Sequence, residues 1–266
     1  MRFRSLYPER GEIEISELRD GLEFPALEDR PYTLANFVSS ADGRAALSGR
    51  SAPLSDEGDR ALFHALRERV DAVMVGTGTL RTERYGALIR DEEACRRRTE
   101  RGLEPQPLAS LVTRSGALPL DIPLFAQSRV VVFAPEPIDG VETVTLEATE
   151  LTLTAVMRRL RADYGVRSLL CEGGPTLFGS LIHERLIDEL FLTLAPKLAG
   201  GGTAPTISSG AERPESAARP SALETKLASV YGRSPMAGNS RPSRSSEISI
   251  SPGSGYRLLK RIRPRT

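Results

Sequence analysis

The sequence is poor in the residues that metal and disulfide chemistry need. Two cysteines, Cys95 and Cys171, and two histidines, His64 and His183, are spread over 266 residues. Neither a disulfide framework nor a His/Cys zinc site can be assembled from them, and no metal is expected. No apolar run approaches the roughly 20 residues of a membrane helix. Met1 to Ser5 lacks the apolar stretch of a signal peptide, so a cytoplasmic location without membrane contact is expected. Tryptophan is absent. Lysine is nearly so, since Lys197, Lys226 and Lys260 are the three among 36 basic residues.

What is present is unevenly placed. The net charge is +1, but residues 213–266 hold eleven basic and three acidic residues, which leaves residues 1–212 at −7. The same last 54 residues contain 11 serines and 6 prolines. Such a segment lacks the apolar content that offsets ordering entropy, and a poorly ordered basic tail is expected there. Its aromatics are Tyr231 and Tyr256, too sparse to stack nucleic-acid bases, so no nucleic-acid partner is expected. Residues 1–212 are read as one domain, with 1–30 as a loose lead-in that has room for a short helix.

Within that domain, apolar strands alternate with amphipathic helices. Strands are predicted at 32–38, 72–75, 108–113, 129–134, 141–146, 166–171 and 188–195. Helices are predicted after Ser55, read as an N-cap with Asp56 and Glu57 in the first turn, at 151–164, and from Pro175 to about Arg185. This alternation predicts an α/β fold with a largely parallel sheet covered on both faces.

The strongest local signal is Leu169 to Leu177. A buried strand ends at Glu172-Gly173-Gly174, and Pro175 stands at the first helical position, where a missing N–H costs nothing. The glycines let an anion approach the backbone, and the helix start offers free N–H groups and a positive dipole end. The segment suits a phosphate cradle or a tight turn without a ligand. Gly76-Thr77-Gly78-Thr79 also follows a buried strand, but it lacks the third glycine of a dinucleotide fingerprint and no helix clearly follows. Arg114 and Ser115 end a strand, where an arginine suits a ribose 2′-phosphate or simply solvent. Asp42 precedes Gly43 in a turn, Arg67 lies on the helix after Ser55, and both histidines read as structural.

Taken together, these segments resemble one family. The chain is similar to the reductase domain of the bacterial riboflavin-biosynthesis deaminase/reductase and to the related stand-alone pyrimidine reductases. The resemblance rests on Ser39 to Gly43, Ser55 to Arg67, Asp71 to Thr79, Thr113-Arg114, Glu172 to Leu177 and Asp188 to Leu198, and it covers roughly residues 31 to 207. It implies a dihydrofolate-reductase-like α/β domain, a mixed, mostly parallel sheet with helices on both faces, and NADPH as cofactor. It implies hydride transfer to the ribose C1′ of a 5-amino-6-ribosylamino-pyrimidine 5′-phosphate, giving the ribitylamino product. By position, Gly76, Thr79, Arg114, Ser115, Gly173, Gly174 and Thr176 are expected to bind NADPH. Ser55, Arg67 and Glu83 are expected to bind substrate, with Glu172 and Asp42 in the catalytic centre. A homodimer is the expected assembly. Where the family often shows an acidic pair and a proline, this chain has Leu80 to Gly86. That departure keeps a dihydropterin reductase as a second reading, and a non-catalytic nucleotide-binding protein as a third.

Overall fold

The structure is a computed structural model. It describes residues 1–5, 11–200 and 204–210, and the backbone of three further strands at 223–226, 230–231 and 258–264. The main sheet is built from β3 (Tyr32–Ser40), β4 (Ala72–Gly76), β5 (Leu108–Val112), β6 (Val130–Ala134), β7 (Glu142–Thr145), β8 (Ser168–Cys171) and β9 (Glu189–Ala195). Their order is β9-β3-β8-β4-β5-β6-β7, and every neighbouring pair among them is parallel. Near-continuous apolar runs such as Val130 to Ala134, buried throughout, are what strands covered on both faces require. Each fully buried Val or Leu contributes about 1.5–3 kcal/mol relative to exposure.

Two cores lie on opposite faces of this sheet. On one face α2 (Glu57–Arg69) sets Leu62 and Leu66 against Leu34, Val73, Val75 and Leu170. On the other, α6 (Leu153–Tyr164) and α7 (Pro175–His183) set Val156, Leu160, Phe178 and Leu181 against Ala35, Met74, Phe133 and Cys171. The strand residues alternate between the cores at period two. Helices therefore cover both faces, as the sequence implied. Three further helices, α3 (Thr77–Glu83), α4 (Glu92–Glu100) and α5 (Leu124–Gln127), fill the connections.

Several local expectations are corrected. The N-cap of α2 is Asp56, whose side chain accepts from the Asp59 N–H, and Ser55 stands one residue before it. A helix does follow Gly76 directly, and Gly76 is its N-cap. The lead-in is more structured than expected: β1 (Arg2–Ser5) pairs antiparallel with β2 (Gly11–Glu14), and α1 (Ile15–Asp20) follows. Strands also occur where none was read. They are β10 (Leu223–Lys226), β11 (Val230–Tyr231) and β12 (Leu258–Pro264). β12 pairs antiparallel with β9 and β10 with β12, making a nine-stranded mixed sheet, while β11 joins β1. An arginine-rich strand of this kind has little local pattern; an open edge at β9 gives it pairing partners far away in sequence. The rest of the expected 213–266 tail lies outside the described residues.

Candidate active site

The carboxyl ends of β3, β4, β5 and β8 converge on a cavity of ≈ 830 Å³. This is where an open parallel sheet places ligands, and the volume falls in the usual range of cofactor and substrate pockets. Gly76, Thr79, Arg114, Gly173, Gly174 and Thr176 all line it, and so do Ser55, Glu83 and Glu172. A second cavity, ≈ 690 Å³, lies alongside, and the two share Ser51, Phe63, Glu83 and Tyr85 in their walls.

The glycines at the first cavity are there for space. The Gly76 N–H donates to the Gly173 carbonyl at 2.6 Å. A Cβ on Gly76 would stand 2.9 Å from the Gly174 nitrogen, closer than any side chain tolerates. A Cβ on Gly174 would meet Thr79 Oγ1 at 2.8 Å. Gly173 has φ +98°, a left-handed conformation that glycine adopts at least cost, and its peptide bond to Gly174 is cis. The ends of β4 and β8 thus touch backbone to backbone. Directly after this contact α7 begins, with Pro175 in its first turn. The N–H groups of Thr176 and Leu177 have no acceptor within the helix and stand at the cavity wall. Bare backbone, free donors and a positive dipole end fit the phosphate of a nucleotide.

Glu172 directly follows β8 beside this cradle. Its side chain is fully buried and forms a two-pronged pair with Arg67, Nε donating to Oε1 at 2.6 Å and Nη2 to Oε2 at 2.7 Å. Tyr85 donates its hydroxyl to Oε2 at 3.0 Å. The third guanidinium nitrogen of Arg67, Nη1, donates to the Leu88 carbonyl at 2.7 Å, and the group lies 4.1 Å from the Phe63 ring centroid. Burial works against the charge of Arg67, but the Glu172 carboxylate more than offsets it and holds the guanidinium above its ordinary value. Burial and the same carboxylate push the Tyr85 phenol well up, so it stays protonated and donates. His64, at the second cavity, is pushed down by burial and by Arg67 next to it. Burial pushes the Cys171 thiol up to about 12, which removes it as a nucleophile near neutral pH.

Three expected site residues are placed otherwise. Asp42 does not line the cavity. Its carboxylate accepts from the Ser40 hydroxyl and from the N–H groups of Ala199 and Gly200, which hold it well below the usual carboxylate range. It ties the loop after β9 to the turn after β3. Ser115 is also outside the cavity, exposed, with its hydroxyl accepting from the Ala117 N–H at 3.4 Å. Arg67 stands in the wall of the second cavity, and all its nitrogens have partners inside the protein. Arg114, by contrast, is exposed at the cavity and, among the described residues, holds only long contacts, 3.3 Å, to the carbonyls of Ala148 and Leu151. Sequence reasoning missed Tyr85, Ser51 and Asn36. Tyr85 lies in the segment that departs from the family pattern. Asn36 is an amide amid the apolar run Leu34-Ala35 and Phe37-Val38 of β3, a signal that was available. No cluster of His, Cys, Asp or Glu able to hold a metal occurs among the described residues, and none of their helices is long and apolar enough to cross a membrane.

A parallel sheet with a glycine-lined cleft at its strand ends, a free helix start and a buried carboxylate defines an α/β protein built for a nucleotide cofactor. More particularly, the chain belongs to the RibD C-terminal domain family, which it matches over residues 31–235. It is 32% identical over 192 residues to the 2,5-diamino-6-ribosylamino-4(3H)-pyrimidinone 5′-phosphate reductase of Archaeoglobus fulgidus, covering 68% of this chain and 87% of that protein. It is 29% identical over 184 residues to the riboflavin biosynthesis protein RibD of Bacillus amyloliquefaciens, covering 68% of this chain but 49% of that longer protein. A pyrimidine reductase-like protein from Corynebacterium diphtheriae shares the fold, with a TM-score of 0.65, 21% identity, and coverage of 90% of this chain and 93% of that one.

Proposed function

We propose that this chain is an NADPH-dependent reductase of riboflavin biosynthesis. It transfers hydride to the ribose C1′ of a ribosylamino-pyrimidine 5′-phosphate and forms the ribitylamino product. The observation that carries the reading is the cavity itself. A glycine contact that a Cβ would fill, a helix start and a buried carboxylate meet at the strand ends of a fold whose relatives are named as reductases of this substrate class. The relative named for the 2,5-diamino pyrimidinone is covered almost whole, and RibD only by half. Both names fall within the proposed substrate class, and we take the diamino compound as the first to test.

NADPH supplies the hydride; the protein binds and orients the reactants. Gly173, Gly174 and the N–H groups of Thr176 and Leu177 take a cofactor phosphate, with Gly76 and Thr79 completing the wall. Arg114 meets the 2′-phosphate. Ser55 and Glu83 face the substrate. Glu172 orders the sugar hydroxyls: among the described residues Oε1 accepts from Arg67 alone, which leaves it a further lone-pair site. Arg67 and Tyr85 act through Glu172 as positioning residues, fixing the carboxylate on two sides.

Steady-state NADPH oxidation should proceed with a ribosylamino-pyrimidine 5′-phosphate, diamino or deaminated, and be absent with a dihydropterin. Turnover of the dihydropterin alone would favour the pterin-reductase reading. Wild-type protein should also bind NADPH more tightly than NADH. Arg114→Ala should narrow that preference by about 1.5–3 kcal/mol, the worth of a hydrogen bond to a charged group. Equal dissociation constants for the two cofactors in the wild type would contradict the role of Arg114.

A further inference from the structure

Asn36 lies in the middle of β3, the strand between β9 and β8. It is 8% exposed, and its carboxamide oxygen has no hydrogen-bond partner among the described residues. Both Asn36 and Glu172 line the large cavity. The β3–β8 register pairs Ala35 with Cys171, so the next residues, Asn36 and Glu172, stand side by side on one sheet face. A buried carbonyl oxygen left without a donor carries a desolvation cost, and a ligand donor removes it. In the neighbouring carboxylate Oε2 is taken by Arg67 and Tyr85, and the site left on Oε1 is the one assigned above to the sugar hydroxyls. Asp59 also lines the cavity with an unpartnered buried oxygen, but it stands in the first turn of α2, away from the glycine contact between β4 and β8.

Resting on the reductase reading above, we propose that Asn36 is a substrate-binding residue whose carboxamide oxygen accepts the N–H of the amine joining the pyrimidine ring to C1′. Before reduction, the C1′–O4′ bond breaks with its electron pair passing to O4′, which takes up a proton. The nitrogen lone pair then forms the C1′=N bond, leaving that nitrogen positive. Hydride from NADPH adds to C1′, which is reduced as NADPH becomes NADP⁺. The N–H is a stronger donor in the positive species than in the bound ribosylamine. A neutral acceptor facing it binds the transition state more tightly than the ground state. Asn36 therefore acts mainly on kcat.

The test compares Asn36→Leu and Asn36→Asp with the wild type. Asn36→Leu keeps the number and branching of the side-chain heavy atoms and removes the unpaired oxygen. It should hold or raise the melting temperature of the ligand-free protein, leave the NADPH dissociation constant unchanged, and lower kcat at least tenfold with a smaller change in KM. Asn36→Asp keeps an acceptor oxygen and should recover most of the lost kcat. A lower melting temperature in Asn36→Leu, or a kcat within twofold of wild type, would overturn the proposal. An inert wild type would instead sink the reductase reading on which it rests. The two failures are therefore distinct.

Discussion

Gly174→Val is expected to weaken NADPH binding at least a hundredfold while leaving a folded protein. The geometry states why. A Cβ at Gly174 would meet Thr79 Oγ1 at 2.8 Å, and valine adds two methyl groups at the same place. Thr79 can rotate aside, so the sheet survives; the space in front of the α7 N-terminus does not. Losing two charge-assisted hydrogen bonds to a phosphate removes about 3–6 kcal/mol, which exceeds the roughly 2.7 kcal/mol that a hundredfold represents. Fluorescence titration with NADPH measures the loss, and circular dichroism checks the fold. Near-normal affinity in a folded variant would reduce the glycine pair to a tight turn. Gly76 is a different case, because its obstructing neighbours are the backbone nitrogen and carbonyl of the glycine pair. Backbone cannot rotate aside, and a side chain there would push β4 from β8.

Arg67→Met should be the most destabilising single change at the site. It leaves the Glu172 carboxylate, with no exposed side-chain surface, without its counter-charge. Breaking a buried pair on one side costs about 3–5 kcal/mol, a large part of the 5–15 kcal/mol that holds a typical domain together. Activity should fall with it, since the carboxylate loses its fixed orientation. The double variant Arg67→Met with Glu172→Gln should regain most of the stability and none of the activity. Urea denaturation and steady-state kinetics read the two effects separately. If Arg67→Met instead kept its stability and only raised the substrate KM, Arg67 would be a direct substrate ligand, the role the family resemblance implied.

That contrast marks where the sequence was legible. Runs such as Val130 to Ala134 and the helical spacing of Leu62 and Leu66 are local patterns, and they placed the sheet, its covering helices and the glycine turn at Gly173 correctly. Tyr85 closes on Glu172 from 87 residues away, and no local pattern encodes that contact. Arg67 carried an expectation of substrate binding and none of an ion pair, because the carboxylate it faces is 105 residues distant. The family resemblance put Asp42 in the catalytic centre, but its partners Ala199 and Gly200 arrive only with the fold. β12 escaped notice for a related reason: its arginine-rich sequence has no strong period, and its place is set by the edge of β9.

The central claim is hydride transfer from NADPH to C1′ of the ribosylamino sugar. It is tested most directly with NADPH carrying deuterium at the transferring position of the nicotinamide. Purified protein, this cofactor and the 2,5-diamino ribosylamino-pyrimidinone 5′-phosphate should give a ribitylamino product with one deuterium at C1′, seen by mass spectrometry and NMR. A product without deuterium at C1′, or no NADPH consumed with either pyrimidine while the cofactor binds tightly, would contradict it.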